Sequence, residues 1–70
     1  MKESIANSVQ KLRGKKDITQ EELAELSGVS RQTIIAIEKG NYIPSVLLSI
    51  KIANIFKLSV EDIFYISHEK

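Results

Sequence analysis

The tightest constraint on this chain is Gly28, set between two short amphipathic stretches that run from Thr19 to Gly40. Thr19 offers a hydroxyl at a helix start, and Glu22 stands three places on, the spacing of a capping box. Leu23 and Leu26, with Ala24, give this helix its apolar side. Gly28 can take φ > 0, which ends a helix and turns the chain sharply. Ser30 caps the next helix, Ile34 and Ile37 lie three apart on its inner face, and Gly40 closes it.

Two helices, a short turn with glycine and a polar start to the second helix make a helix-turn-helix. In that geometry the first residues of the second helix, Arg31, Gln32 and Thr33, project away from the core. Arginine can donate a fork to guanine O6 and N7, and glutamine can pair with adenine N6 and N7. Donors at a helix end that fits the major groove make double-stranded DNA the expected partner.

The run Thr-Gln-Glu-Glu-Leu-Ala-Glu-Leu-Ser-Gly-Val-Ser-Arg-Gln-Thr-Ile from Thr19, followed by Ile37-Glu38-Lys39-Gly40 and Pro44-Ser45, resembles the Cro/CI (XRE) family of helix-turn-helix regulators. The likeness is greatest to its short stand-alone bacterial members and extends from about Val9 to Phe64. It implies an all-α, five-helix lambda-repressor-like domain that binds a near-palindromic operator as a homodimer and usually represses. It further implies a partly buried Arg13–Glu38 ion pair, the alternative being an ordinary surface pair. By position in the motif, Gln20 is expected to meet a phosphate or a base, against a simple exposed first-turn residue. The region around Phe64, Tyr65 and Ile66 is expected to help form the dimer, as in related short regulators. Relatives often carry a longer polar side chain at Ala36 and a large apolar one at Ser49, so one fewer base edge is read directly and local packing differs.

Seventy residues make one domain, 1–70, with no second core. At this size only about 60% of the chain's surface is buried on folding, so stability should be modest. There are no cysteines, which excludes disulfides and thiolate metal sites and suits a cytoplasmic location. A signal peptide and a membrane span are not expected, because no run of about 18 uncharged apolar residues occurs. His68 is the one histidine and sits in a polar tail, so no metal site is expected. Neither a glycine-rich phosphate loop after a strand nor a nucleophile elbow is present, so no cofactor, no catalytic residue and no enzyme activity are expected. Net charge is only +1, but residues 1–16 hold five bases against Glu3, and residues 17–28 hold four acids and no base. Such a dipolar surface could steer the protein onto phosphates, or be no more than solvated helix faces of mixed sign.

Along the chain, Ser4 is placed to cap a first helix with Ile5, Val9 and Leu12 on one face and an end near Gly14. Pro44 pushes Ile43 out of the helical region, so residues 41–44 form a loop. Ser45 caps a fourth helix to about Phe56, with Val46, Ile50, Ala53 and Phe56 as its core face and Leu48 also turned inward. Ser59 starts a last short helix, with Glu61 and Asp62 where the dipole favours acids. Phe64-Tyr65-Ile66 is β-prone in composition, and a short terminal strand pairing with the N-terminus is allowed for.

The expected DNA contacts are therefore Gln20, Ser30, Arg31, Gln32, Thr33, Ile35, Ala36, Lys39 and Asn41. Arg31 and Gln32 read base edges. Thr33 offers its methyl to thymine or bonds a phosphate. Lys39 and Asn41 meet the sugar-phosphate chain, which sets register without selecting sequence. Ile35 either touches a thymine methyl or is a single semi-exposed apolar residue. Tyr42 either bonds a phosphate or packs on the fourth helix. Leu47 and Ile55, off the core face, suggest with the terminal aromatics a protein–protein surface. The function expected is a dimeric, sequence-specific repressor acting by promoter occlusion. The alternative is an antitoxin or protein-interaction adaptor of the same fold, in which those apolar residues clasp another protein.

Overall fold

The computed structural model describes the backbone of residues 2–69, and among them it shows five helices and a two-stranded sheet. The order is β1 (Lys2–Asn7), α1 (Val9–Lys16), α2 (Gln20–Ser27), α3 (Arg31–Glu38), α4 (Val46–Phe56), α5 (Val60–Ile63) and β2 (Phe64–Glu69). The helices enclose one core built on Val9, Leu23, Ile34, Ile37, Ile52 and Ile63, each fully buried, with Leu48, Ala53 and Phe56 around them. None of the helices is long and apolar enough to cross a membrane.

The N-terminus departs from the expected helix start at Ser4. Residues 2–7 pair antiparallel with β2, with Ile5 opposite Ile66 and Asn7 opposite Phe64. The ladder runs on through the Ser8 amide, which donates to the Ile63 carbonyl at 3.0 Å. The helix then starts at Val9, whose amide donates to Asn7 Oδ1 at 3.1 Å, while the Ser8 hydroxyl caps nothing. Six residues, most of them weak strand formers by composition, are thus drafted into a sheet by a partner far along the chain. At the other end α1 passes Gly14 and runs to Lys16, stopped by Asp17 in the left-handed region.

Two helices bury a different face from the one expected. In α2 the inward residues are Leu23, Ala24 and Ser27, and Leu26 is 62% exposed. At 3.6 residues per turn Leu26 lies roughly 100° from the middle of that stripe. Ser27 can be buried because its hydroxyl donates to the Leu23 carbonyl at 2.7 Å. In α4 the buried set is Leu48, Ser49, Ile52, Ala53 and Phe56, while Val46 is 77% exposed and Ile50 is exposed too. Apolar residues surround this helix, so its phase is set by what it packs against. Ser49 joins the core by donating to the Ser45 carbonyl at 2.9 Å.

The last turn follows the expected chemistry. Ser59 and Asp62 form a capping box, and these hydrogen bonds from Ser59 hold the Asp62 carboxyl below the usual carboxylate range. Lys57, which ends α4, sits at φ +58°, a conformation that an L side chain adopts at a cost. Lys57→Gly is therefore expected to raise stability by about 0.5–1 kcal/mol, read as a higher midpoint in urea at unchanged slope.

Candidate nucleic-acid interface

Local chemistry fixes the start of each helix in the central pair. The Glu22 amide donates to Thr19 Oγ1 at 3.0 Å and the Thr19 amide donates to Glu22 Oε1 at 2.8 Å, closing the capping box. Gly28 takes φ +76° and returns its amide to the Ala24 and Glu25 carbonyls, so the chain reverses within three residues. A Cβ at Gly28 would meet only the end of Lys51 at 3.9 Å, so the need for glycine is one of backbone conformation rather than space. Ser30 Oγ then accepts from the Thr33 amide at 3.2 Å and lies 3.0 Å from the Thr33 hydroxyl.

This turn sorts the residues of α3 between core and solvent. Ile34 and Ile37 are fully buried. Arg31 and Gln32 are exposed at its N-terminal end, and Thr33, Ile35 and Ala36 are half-buried beside them. Lys39 and Asn41 are exposed just past the helix, on either side of Gly40 at φ +79°. Arg31 faces Gln20 and Glu21 across a shallow groove of about 750 Å³ whose other walls include Arg13, Gly14 and Thr19. Tyr42 is exposed and lines a hollow with Leu47, Leu48 and Lys51 of α4.

Beneath this surface one carboxylate joins three helices. Arg13 Nε of α1 donates to Glu38 Oε2 of α3 at 2.8 Å, and a second guanidinium nitrogen donates to Oε1 at 3.3 Å. Gln20 of α2 donates its amide nitrogen to the same Oε1 at 3.0 Å. The side chains of Arg13 and Glu38 are 16% and 4% exposed, so the bridge is partly buried. The Glu38 hydrogen bond raises the Arg13 pKa above its ordinary value, against the opposing effect of burial. The Arg13–Glu38 bridge answers the family-based expectation. The Gln20 bond is not expected from the sequence, where Gln20 is a phosphate or base contact or else a simple exposed residue.

A second tie was also missed. Asn7 Nδ2 donates to the Ile37 carbonyl in the last turn of α3 at 2.9 Å. The available signal was an asparagine just ahead of a helical pattern, the usual place for a cap. In β2, Phe64 packs against the core, whereas Tyr65 and Ile66 are exposed. Ile55 likewise packs against the core, while Leu47 remains exposed. Among the described residues no group of His, Asp and Glu is placed to hold a metal ion.

A glycine-turned helix pair over a buried core, with polar side chains presented by the second helix, defines a helix-turn-helix DNA-binding domain. The chain belongs to that family: the helix-turn-helix family model HTH_3, of Cro/CI (XRE) type, matches residues 9–63. It is 48% identical over 65 residues to the HTH-type transcriptional regulator YgzD of Bacillus subtilis (strain 168), covering 93% of this chain and 98% of that one. It is 55% identical over 60 residues to the HTH-type transcriptional regulator MJ0272 of Methanocaldococcus jannaschii, covering 86% and 91%. Among solved structures it is similar to the restriction-modification controller protein C.AhdI from Aeromonas hydrophila, with a TM-score of 0.72 and 30% identity over 77% of this chain and 82% of that one. The protein is a transcriptional regulator with a DNA-binding fold, and its family is not a class of enzymes.

Proposed function

We propose that this regulator is a cytoplasmic homodimer that binds a near-palindromic operator and represses by excluding polymerase from a promoter. The observation that carries this reading is the division of α3, with Ile34 and Ile37 wholly buried and Arg31 and Gln32 free in solvent at its leading end. Arg31 reads guanine and Gln32 reads adenine through paired hydrogen bonds in the major groove. Ile35 and Ala36, further along the helix, meet thymine methyl groups. Ser30, Thr33, Lys39 and Asn41 hold the phosphate backbone and fix the register.

Gln20 is anchored from beneath while it faces the duplex. One of its two amide N–H groups is given to Glu38, which leaves the second N–H to donate and the carbonyl oxygen to accept. A phosphate here is met by free backbone amides at the start of α2. The remaining N–H and the carbonyl of Gln20 suit a phosphate oxygen or a base edge that offers both a donor and an acceptor.

For the dimer, the exposed apolar residues Tyr65 and Ile66 of β2 are the contact surface, with Phe64 behind them as support. Ile66 also lines a shallow apolar hollow with Ile5 and Ile43. A two-fold pair would place its α3 helices in successive major grooves, about 34 Å apart on one face of the duplex. Repression then needs only the volume of the bound pair.

The test is selection of sites from random duplex DNA, together with the protein's mass in solution. A recovered two-fold site with half-sites one turn apart, and a dimer at micromolar concentration, support the reading. Asymmetric sites bound by a monomer would overturn it. Affinity for the selected site is expected to fall steeply between about 50 and 200 mM salt, by roughly a thousandfold if six phosphates are contacted. A flat response would remove Lys39, Asn41 and the helix ends from the contact set.

A further inference from the structure

We propose that Asn7 is a positioning residue that aligns the DNA-reading helix with the terminal sheet, a role resting on the assignment of α3 to the major groove. Asn7 is the last residue of β1, held opposite Phe64 by the ladder. Its side chain is divided between two helices. Oδ1 accepts from the Val9 amide at 3.1 Å and so starts α1, while Nδ2 donates to the Ile37 carbonyl at 2.9 Å near the end of α3. That carbonyl also accepts from the Gly40 amide at 2.9 Å. One half-buried amide therefore fixes the angle between the strand, the first helix and the far end of the third.

The geometry gives this bond leverage. An eight-residue helix is about 12 Å long, so a displacement of about 1 Å at its tail tilts it by about 5°. Its leading end is held through the Ser30 cap and the buried isoleucines. Paired hydrogen bonds to a base edge are sensitive to such a tilt, whereas contacts to phosphate adapt to it. Beside Asn7, a groove runs between Ser4, Ile5 and Ala6 of the sheet on one side and Glu38, Lys39 and Gly40 at the end of α3 on the other. The Arg13–Glu38 bridge ties the tail of α3 to α1, and the Asn7 amide ties it to the sheet.

The two hydrogen bonds can be separated by substitution. Asn7→Asp keeps an oxygen for the Val9 amide and places it where a helix start favours negative charge, but it has no donor for the Ile37 carbonyl. Asn7→Ser, a shorter cap with no amide, serves as a second variant should the carboxylate disturb folding. Each is compared with the wild type for binding to the selected operator and to a scrambled duplex of equal length, alongside amide hydrogen exchange of the free protein. The expected result is a loss of preference for the operator of about 3- to 30-fold, with affinity for the scrambled duplex unchanged. Exchange at the Gly40 amide should be faster in the free variant. A purely structural role would weaken both duplexes alike. Unchanged preference in both variants overturns the proposal and leaves the reading of α3 intact. Absence of any preference in the wild type would overturn both.

Discussion

Replacing Arg31 and Gln32 together with alanine is expected to weaken operator binding by roughly 30- to 10,000-fold while leaving the fold untouched. Each well-placed bidentate pair with a base is worth about 1–3 kcal/mol of discrimination. Adjacent residues do not add strictly, so the upper figure is a limit. The fold should survive because both side chains lie in solvent and alanine is the better helix former. Loss of the Arg31 charge should change weak, sequence-independent binding only slightly, so the ratio between specific and scrambled duplex is what collapses. Gel-shift titration on both duplexes, with circular dichroism as the control for folding, gives the answer. Should the double variant shift operator DNA as well as the wild type does, the assignment of α3 as the reading helix is wrong.

The second large effect concerns the buried carboxylate. Arg13→Met is expected to destabilise the domain by about 3–5 kcal/mol, since it strands a charge that is 4% exposed with one amide as its remaining partner. In a domain of this size that is a fall in Tm of roughly 12–40 °C. Against a total stability of about 3.5–10 kcal/mol for a chain of this length, that is a large share of the whole. Glu38→Gln should cost less, about 1–3 kcal/mol. It removes the charge but keeps an acceptor, and the guanidinium left behind is more exposed and still donates to the Ile18 carbonyl at 3.1 Å. Thermal and urea unfolding of both variants test the order as well as the sizes. A loss below about 1 kcal/mol for Arg13→Met would reduce the bridge to an ordinary surface pair.

The parts legible in the sequence are those fixed by neighbours along the chain. Thr19 with Glu22, Gly28, Ser30, Ser45 and Ser59 each occupy the turn or cap expected of them, because caps and turns act over three or four residues. That local chemistry places Arg31 and Gln32 in solvent without knowledge of the rest. The Arg13–Glu38 bridge spans 25 residues and was expected only through the family resemblance.

What was not legible depends on partners distant in sequence. Lys-Glu-Ser-Ile-Ala-Asn shows no alternation and becomes β1 only because β2 offers an edge more than fifty residues later. The Ser4 start therefore failed, although the allowance for a terminal strand answered to the sheet. In α4, Val46 and Ile50 compete with Leu48 and Ile52 for the inward face, and hydrophobicity alone cannot choose between them. Buried serines misled in the same direction. Ser27 and Ser49 satisfy their hydroxyls on the preceding turn and so act as small core residues, a role that a count of apolar side chains does not credit.

The antiparallel strands have a topological consequence. Lys2 and Glu69 stand opposite each other across the ladder, so a linker of a few residues between those two positions would close residues 2–69 into a ring. New ends could then be opened in the exposed stretch around Asn41 and Ile43. A permuted molecule of this kind would turn the long-range strand pair into a local hairpin, and the closure that is slowest to form by chance would become one of the quickest.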